Sequence, residues 1–285
     1  MYGDGATAAM HVFGRSEGDA GAPTAELGHF LAADGSRGAD VGVDVERPHA
    51  VAVVGKRGSG KTHTLGVLAE GLVSAPGVAP VVVDPMGDLR GLGTAGARVT
   101  EPAVRADAVP PASWPSLLGL DAESGAGSLV WRAAEEATTL AEMRAFVADS
   151  GADAAARRGA ANHLSLAASW SVFESDGLDA ATLDRANGTV LDCSRLPAAA
   201  TNAVCLVVAR ACYDRRRRGA GRLPWVLVDE AHVAFEGVAA AALETLLTRG
   251  RGPGVSLVVA TQRPAALPPV AVSQSDLLVA HRLTA

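Results

Sequence analysis

Unbroken apolar runs recur along the chain, and most end in a polar or acidic residue. They span residues 50–54, 80–84, 188–193, 223–230, 254–262 and 276–282. Such runs do not alternate polar with apolar, which predicts strands buried on both faces. Between them, residues 64–73, 129–147, 152–173, 201–218 and 238–248 carry apolar positions at helical spacing, so each predicts a helix. Strands separated by helices predict an α/β fold, with a mostly parallel sheet covered on both sides. The N-terminal stretch differs. Residues 39–45 alternate, as a half-exposed strand does; with 27–31 and a short strand at 10–13 they predict a small β appendage. The expected organisation is a leader and appendage over 1–48 and a core over 49–285. A helical insertion interrupts that core at about 100–187; Trp114 and residues 117–120 anchor its Gly-, Ala- and Pro-rich first part. No internal repeat is visible.

Composition narrows the picture. Of 285 residues, 48% are hydrophobic but only 4% aromatic, so the core must be built mainly from Ala, Val and Leu. The formal net charge of −6 argues against a globally basic nucleic-acid binder; a local basic lining inside a ring would not show in the total. Cys193, Cys205 and Cys212 lie in apolar segments, with neither metal-ligand spacing nor a disulfide framework. That pattern predicts a reducing, cytoplasmic setting. No run of about 18 uncharged apolar residues and no signal-peptide pattern occurs, so no membrane association is expected.

The chemistry concentrates at one turn. Gly55-Lys56-Arg57-Gly58-Ser59-Gly60-Lys61-Thr62 has every fixed position of the nucleotide-hydrolase phosphate loop, set between a strand and a helix. Glycines at 58 and 60 let the backbone turn its N–H groups inward toward phosphate. The following helix adds its N-terminal dipole, so the loop from Gly55 through Ser59 to His63 is the expected ATP cradle. Lys61 is expected to reach the β- and γ-phosphates, and the Thr62 hydroxyl to hold Mg²⁺. The only two lysines, Lys56 and Lys61, both sit in this loop.

Other strand ends supply partners. Asp229 and Glu230 close the 223–228 run; Asp229 fits a Mg²⁺ carboxylate, largely through water, and Glu230 a base for the attacking water. Gln262 follows another strand at the edge where open α/β sheets bind ligands; it suits sensing the γ-phosphate or holding the lytic water, or is a plain turn residue. Arg249 and Arg251 lie on a glycine-rich loop. An arginine there could reach a phosphate across a subunit interface, or merely face solvent. Asp84 and Asp88 are either site acids or turn residues. Arg215 to Arg218 suit a phosphate-backbone patch, a helix C-terminus or a solvated face. His232 either couples the site to a loop or packs.

Taken in order, the phosphate loop, Asp84-Pro85-Met86-Gly87-Asp88, the 227–232 segment Leu-Val-Asp-Glu-Ala-His, the 251–257 loop and Thr261-Gln262-Arg263-Pro264 resemble the HerA-like ATPases of the HerA/FtsK superfamily. The segment 276–284 is similar to that family's last core strand, and the resemblance covers about residues 40–285. It implies a RecA-like P-loop core, a hexameric ring of identical subunits, and ATP-driven translocation on double-stranded DNA, often with a nuclease partner. It also implies roles: Lys61 and Thr62 bind ATP and Mg²⁺, Asp229 holds the metal, Glu230 is the catalytic base, Gln262 senses the γ-phosphate, and Arg251 is the finger reaching a neighbouring subunit. The chain departs from the family in having Gly252 where a basic residue is usual. It leaves little room before residue 49 for the family's β-barrel, and it stops at Ala285 where relatives usually continue into a brace. These departures keep a second expectation alive, an ATP-dependent switch or assembly factor that moves no DNA. A nucleotide or small-molecule kinase fits least, because a kinase needs no Asp-Glu pair poised for water and no arginine-rich lid is apparent.

Overall fold

The structure, a computed structural model, describes residues 10–15 and 22–283. Parts of the leader expected over 1–26, and Thr284 and Ala285, lie outside the described residues.

Seven parallel strands form the main sheet. Along the chain they are β4 (Ala50–Val54), β5 (Val78–Asp84), β6 (Arg98–Thr100), β7 (Thr189–Asp192), β8 (Leu223–Val228), β9 (Ser256–Thr261) and β10 (Leu277–Ala280). Their spatial order is β10-β4-β9-β8-β5-β7-β6, and every neighbouring pair is parallel. The apolar runs have a direct cause. Alternate residues of one strand face opposite sides, and helices or other apolar layers cover both sides. In β8, Val226 and Val228 join one apolar cluster while Trp225 and Leu227 join the other. In β4, Ala50, Ala52 and Val54 face the first cluster, and Val51 and Val53 the second.

A small sheet packs on the second side. There β1 (His11–Phe13) pairs parallel with β3 (Arg37–Asp44), which pairs antiparallel with β2 (Thr24–Leu31). Its Ala25 and Val43 meet helix α1 (Lys61–Ser74). A Cβ on Gly71 of α1 would stand 3.0 Å from the Ala25 methyl; glycine is what lets helix and strand approach so closely.

The other side carries α2 (Trp114–Leu117), α3 (Gly125–Glu136), α4 (Leu140–Asp149), α5 (Ala154–Ser169), α6 (Ala198–Arg217), α7 (His232–Phe235), α8 (Ala240–Arg249) and α9 (Pro269–Ser273). The sequence pattern had 129–147 as one helix; it is two, α3 and α4. The first ends at its C-cap Ala137, and Thr139 starts the second through a capping box. Its hydroxyl accepts from Glu142 N at 3.2 Å, and the Glu142 carboxylate accepts from Thr139 N at 3.1 Å. Such a cap stabilises the new helix by about 1 kcal/mol. The 152–173 helix is shorter than its pattern and begins where Asp153 accepts from Ala155 N and Ala156 N. Strand β6 was not apparent in the pattern, being three residues with an exposed arginine. All three cysteines are buried and unpaired, as their apolar surroundings predict.

Candidate active site

The parallel arrangement fixes where a ligand can sit. Strands β4, β5, β8 and β9 all end at one edge, and the loops that follow them converge there. The loop after β4 runs through Gly58 (φ 73°) and Gly60 (φ 102°), left-handed conformations that glycine adopts without steric cost. A Cβ on Gly55 would stand only 2.6 Å from Ser59 Oγ and from His281 Cβ. The loop is therefore wound too tightly for any other residue there. Lys61 opens α1 and is buried; its Nζ donates to the Lys56 carbonyl at 3.0 Å, folding the ammonium back across the loop. Ser59 Oγ is buried without a hydrogen-bond partner, an orphan polar group inside the cradle. Arg57 and His63 are exposed. His63 and Asp88 border a cleft of about 290 Å³ that also reaches Thr62.

Asp229 joins strand β8 to the loop. Thr62 Oγ1 donates to Asp229 Oδ2 at 2.8 Å, while Asp229 Oδ1 accepts from Glu230 N at 2.8 Å. Asp229 is 1% exposed. Burial pushes its carboxyl above the usual range, opposed by the Thr62 hydrogen bond and reinforced by the charges of Glu230 and Asp84. A buried carboxylate that a cation would relieve, next to a hydroxyl, is a donor set suited to Mg²⁺. Among the described residues no three His, Cys, Asp or Glu side chains cluster to hold a metal. An ion at Thr62 and Asp229 would therefore be shared with substrate phosphate and water.

Glu230 adopts φ 45°, a left-handed conformation that is costly for a residue with a Cβ. The turn is held because Ala231 N donates to the Ala260 carbonyl at 2.8 Å. Glu230 Oε2 is buried with no hydrogen-bond partner, 3.2 Å from His232 Nδ1. That imidazole instead pairs with Thr261 Oγ1 at 3.2 Å. Gln262 follows Thr261, the register partner of Val54, so it stands level with Gly55 at the same edge. Lys61, Thr62, Asp229, Glu230 and Gln262 are thus brought to one edge from three segments.

Arg251 is not among them. It precedes β9 and lies beside Asp276, which precedes β10, with Arg251 Nη2 3.5 Å from Asp276 Oδ2. That is the amino edge of the sheet, about 15 Å from the phosphate loop across the five residues of β4. Within one chain the two edges cannot meet.

Asp84 and two arginines of the 215–218 run are engaged within the fold. Asp84 accepts from Met86 N, Gly87 N and Leu89 N, so its carboxylate is used by its own turn. In the arginine run, Arg215 donates to Asp184 at 2.6 Å and Arg216 to the Pro253 carbonyl at 2.9 Å. Both tie the end of α6 to neighbouring loops.

Sequence reasoning missed three residues, one beside the loop and two at the opposite edge. His281 Nε2 pairs with Thr64 Oγ1 at 3.0 Å and its ring lies beside Gly55 and Gly60. Asp276 and His49 lie beneath Arg251. The only sequence signal was that each flanks an apolar run.

Residues 25–141 match the family model described as Helicase HerA, central domain. No curated protein sequence matches the chain. Among solved structures, VirB4 of Thermoanaerobacter pseudethanolicus aligns with a TM-score of 0.69 at 17% identity, over 89% of this chain and 80% of that one. The plasmid coupling protein TrwB, in complex with the ATP analogue ADPNP, aligns at 0.47 and 17% identity, over 81% and 68%. The genome-packaging NTPase B204 of Sulfolobus turreted icosahedral virus 2, in complex with ATP-gammaS, aligns at 0.39 and 14% identity, over 81% and 74%. Of these three, VirB4 alone exceeds 0.5, and at such identity it speaks for the fold. Residues 25–141 are thus similar to the HerA central domain, and the seven-stranded parallel sheet, with its phosphate loop bonded to Asp229, has the fold of the VirB4 neighbour.

Proposed function

We propose that the protein hydrolyses ATP between copies of itself and uses the cycle to move along double-stranded DNA. The observation that carries the hydrolase reading is the 2.8 Å bond from Thr62 to Asp229. It supports Thr62 and Asp229 as the residues that would hold Mg²⁺, Asp229 largely through water. That ion, when bound, offsets charge on the β- and γ-phosphates. The chain's own groups do the rest. Loop N–H groups and Lys61 hold the triphosphate, Asp229 and Thr62 hold the metal, and Gln262 stands level with the loop to meet the terminal phosphate. Glu230 takes the proton of the attacking water, whose oxygen bonds to the γ-phosphorus as the bond to the ADP oxygen breaks. Arg251, at the far edge, supports the reading that a second copy completes the site, since its guanidinium has no route to its own loop.

The placement of Arg215 and Arg216 favours a second reading, an ATP-driven switch that moves no DNA. Two cations available to a phosphate backbone are already used within the fold.

Steady-state ATP hydrolysis with and without linear double-stranded DNA separates the two. Stimulation by DNA, together with a nucleotide-dependent assembly in sedimentation, supports translocation. A monomer whose hydrolysis ignores DNA refutes it. Mixing Arg251→Ala with Lys61→Ala subunits should restore part of the activity each lacks alone; no restoration refutes the role of the arginine between copies.

A further inference from the structure

The charged cluster at the amino edge of the sheet is built more firmly than a surface contact. Asp276 is held on several sides. His49 Nδ1 lies 2.6 Å from its Oδ2, Ala50 N donates to its Oδ1 at 2.9 Å, and its own N–H donates to the Ala50 carbonyl at 3.0 Å. His49 is fixed in turn. Its side chain is 4% exposed, its N–H donates to Ser256 Oγ at 2.9 Å, and its ring packs against Trp225. Burial pushes the Asp276 carboxyl up, but the hydrogen bond from His49 leads the opposing effects, which together hold it below its usual range and ionised.

Arg251 has no comparable support. Its loop is ordered through the backbone, with Gly254 N and Val255 N both donating to the Gly250 carbonyl. Its side chain is 67% exposed, and it makes an ionic contact with Asp276. A guanidinium has five N–H donors, so one carboxylate oxygen at one end leaves the others facing outward.

We infer that Asp276, anchored by His49 and Ala50, is the positioning residue of Arg251 and aims its guanidinium at the nucleotide held by a second copy. This rests on the proposed trans role of Arg251. A long side chain left free must be ordered each time it meets the phosphate, and a carboxylate already fixed in the fold removes part of that cost. His49 and Asp276 flank β4 and β10, the strands that also carry the phosphate loop and His281. The element receiving one copy's nucleotide therefore aims the arginine sent to the next.

The test is a double-mutant cycle on ATP turnover of the full chain, with Asp276→Asn, Arg251→Ala and both. Asparagine keeps an acceptor for Ala50 N–H and loses the charge, and melting midpoints confirm the fold. Asp276→Asn should lower kcat about tenfold, near 1.4 kcal/mol, at unchanged KM for ATP. It should have no further effect once Arg251 is alanine. Asp276→Glu, which keeps the charge, should recover part of the loss and serves if the asparagine variant does not fold. An equal fall in both backgrounds, or none in the single variant, overturns the positioning role. If Arg251→Ala itself leaves kcat unchanged, the trans-arginine reading fails first, which is a distinct result.

Discussion

Glu230 combines a left-handed backbone with a buried carboxylate oxygen lacking a hydrogen bond, so the residue proposed as base should weaken the fold that holds it. The left-handed conformation costs a Cβ-bearing residue about 1–2 kcal/mol. Glycine escapes that cost but gains about 0.5–1 kcal/mol of freedom in the unfolded chain. Removing the orphaned acceptor relieves about another 1 kcal/mol, less than a fully buried charge would, because the side chain is 20% exposed. Glu230→Ala should therefore be more stable than the wild type by about 1 kcal/mol, through the acceptor alone. Glu230→Gly should be more stable than alanine by a further ~0.5–1 kcal/mol. For a chain of this size each kcal/mol moves the midpoint by about 2–4 °C. Both variants, and Glu230→Gln, should bind ATP yet turn it over about 10²- to 10⁴-fold more slowly. The assays are thermal melting and steady-state phosphate release. A glycine variant no more stable than alanine would show that the backbone stores no strain at this turn. A glutamine variant hydrolysing at the wild-type rate would remove Glu230 from the mechanism.

Asp192 accepts from Arg90 Nε at 2.6 Å, and that bond leads the effects holding its carboxyl at about 2 against an ordinary 3.8. A depressed carboxyl contributes stability that is present above pH 3.8 and lost as pH falls through about 2. Discounted for the half-exposed arginine, Asp192→Asn should cost about 1–2 kcal/mol at pH 7. In urea titrations the cost should shrink below pH 4; a pH-independent cost would assign it to packing. Cys205 and Cys212 are pushed up to about 12, and Cys193 higher still, chiefly by burial, so a thiol reagent should label none of them until the protein unfolds. Fast labelling of the native protein would contradict the packing of α6 and of the turn after β7. Gly127 in the first turn of α3 should resist alanine, although alanine normally favours helix. A Cβ there would lie 2.0 Å from the Asp121 carbonyl oxygen, so the cost should reach about 2–3 kcal/mol in denaturant titration. A neutral substitution would mean that the Asp121 turn moves freely.

The parts legible in the sequence were those that local chemistry specifies. The phosphate loop could be read because glycine, lysine and threonine occupy fixed positions between a strand and a helix. The sheet could be read because strands buried on both faces carry no polar alternation. The break between α3 and α4 was also written locally, in Thr139 and Glu142, but the continuous apolar pattern hid it. What sequence could not give was strand order. That order brings Asp276 to His49 across 227 residues. It also makes Arg215 and Arg216 a clasp on two loops, while Arg217 and Arg218 stay exposed. Such contacts are side-chain pairings between distant segments, and no spacing rule encodes them.

Strand β10 has a consequence for how the protein is made. Lys56 N donates to the Arg282 carbonyl and His281 N to the Val54 carbonyl, so the mouth of the phosphate loop is stitched to residues about 226 positions later. Such closures are slow because the intervening chain must be ordered first. Until β10 docks, β4 is an edge strand with open backbone groups, and the turn at Gly55 has lost the histidine that flanks it. A growing chain on the ribosome would therefore acquire its finished phosphate cradle only after nearly all the described residues have emerged. Nucleotide binding would then report that synthesis of the core is complete.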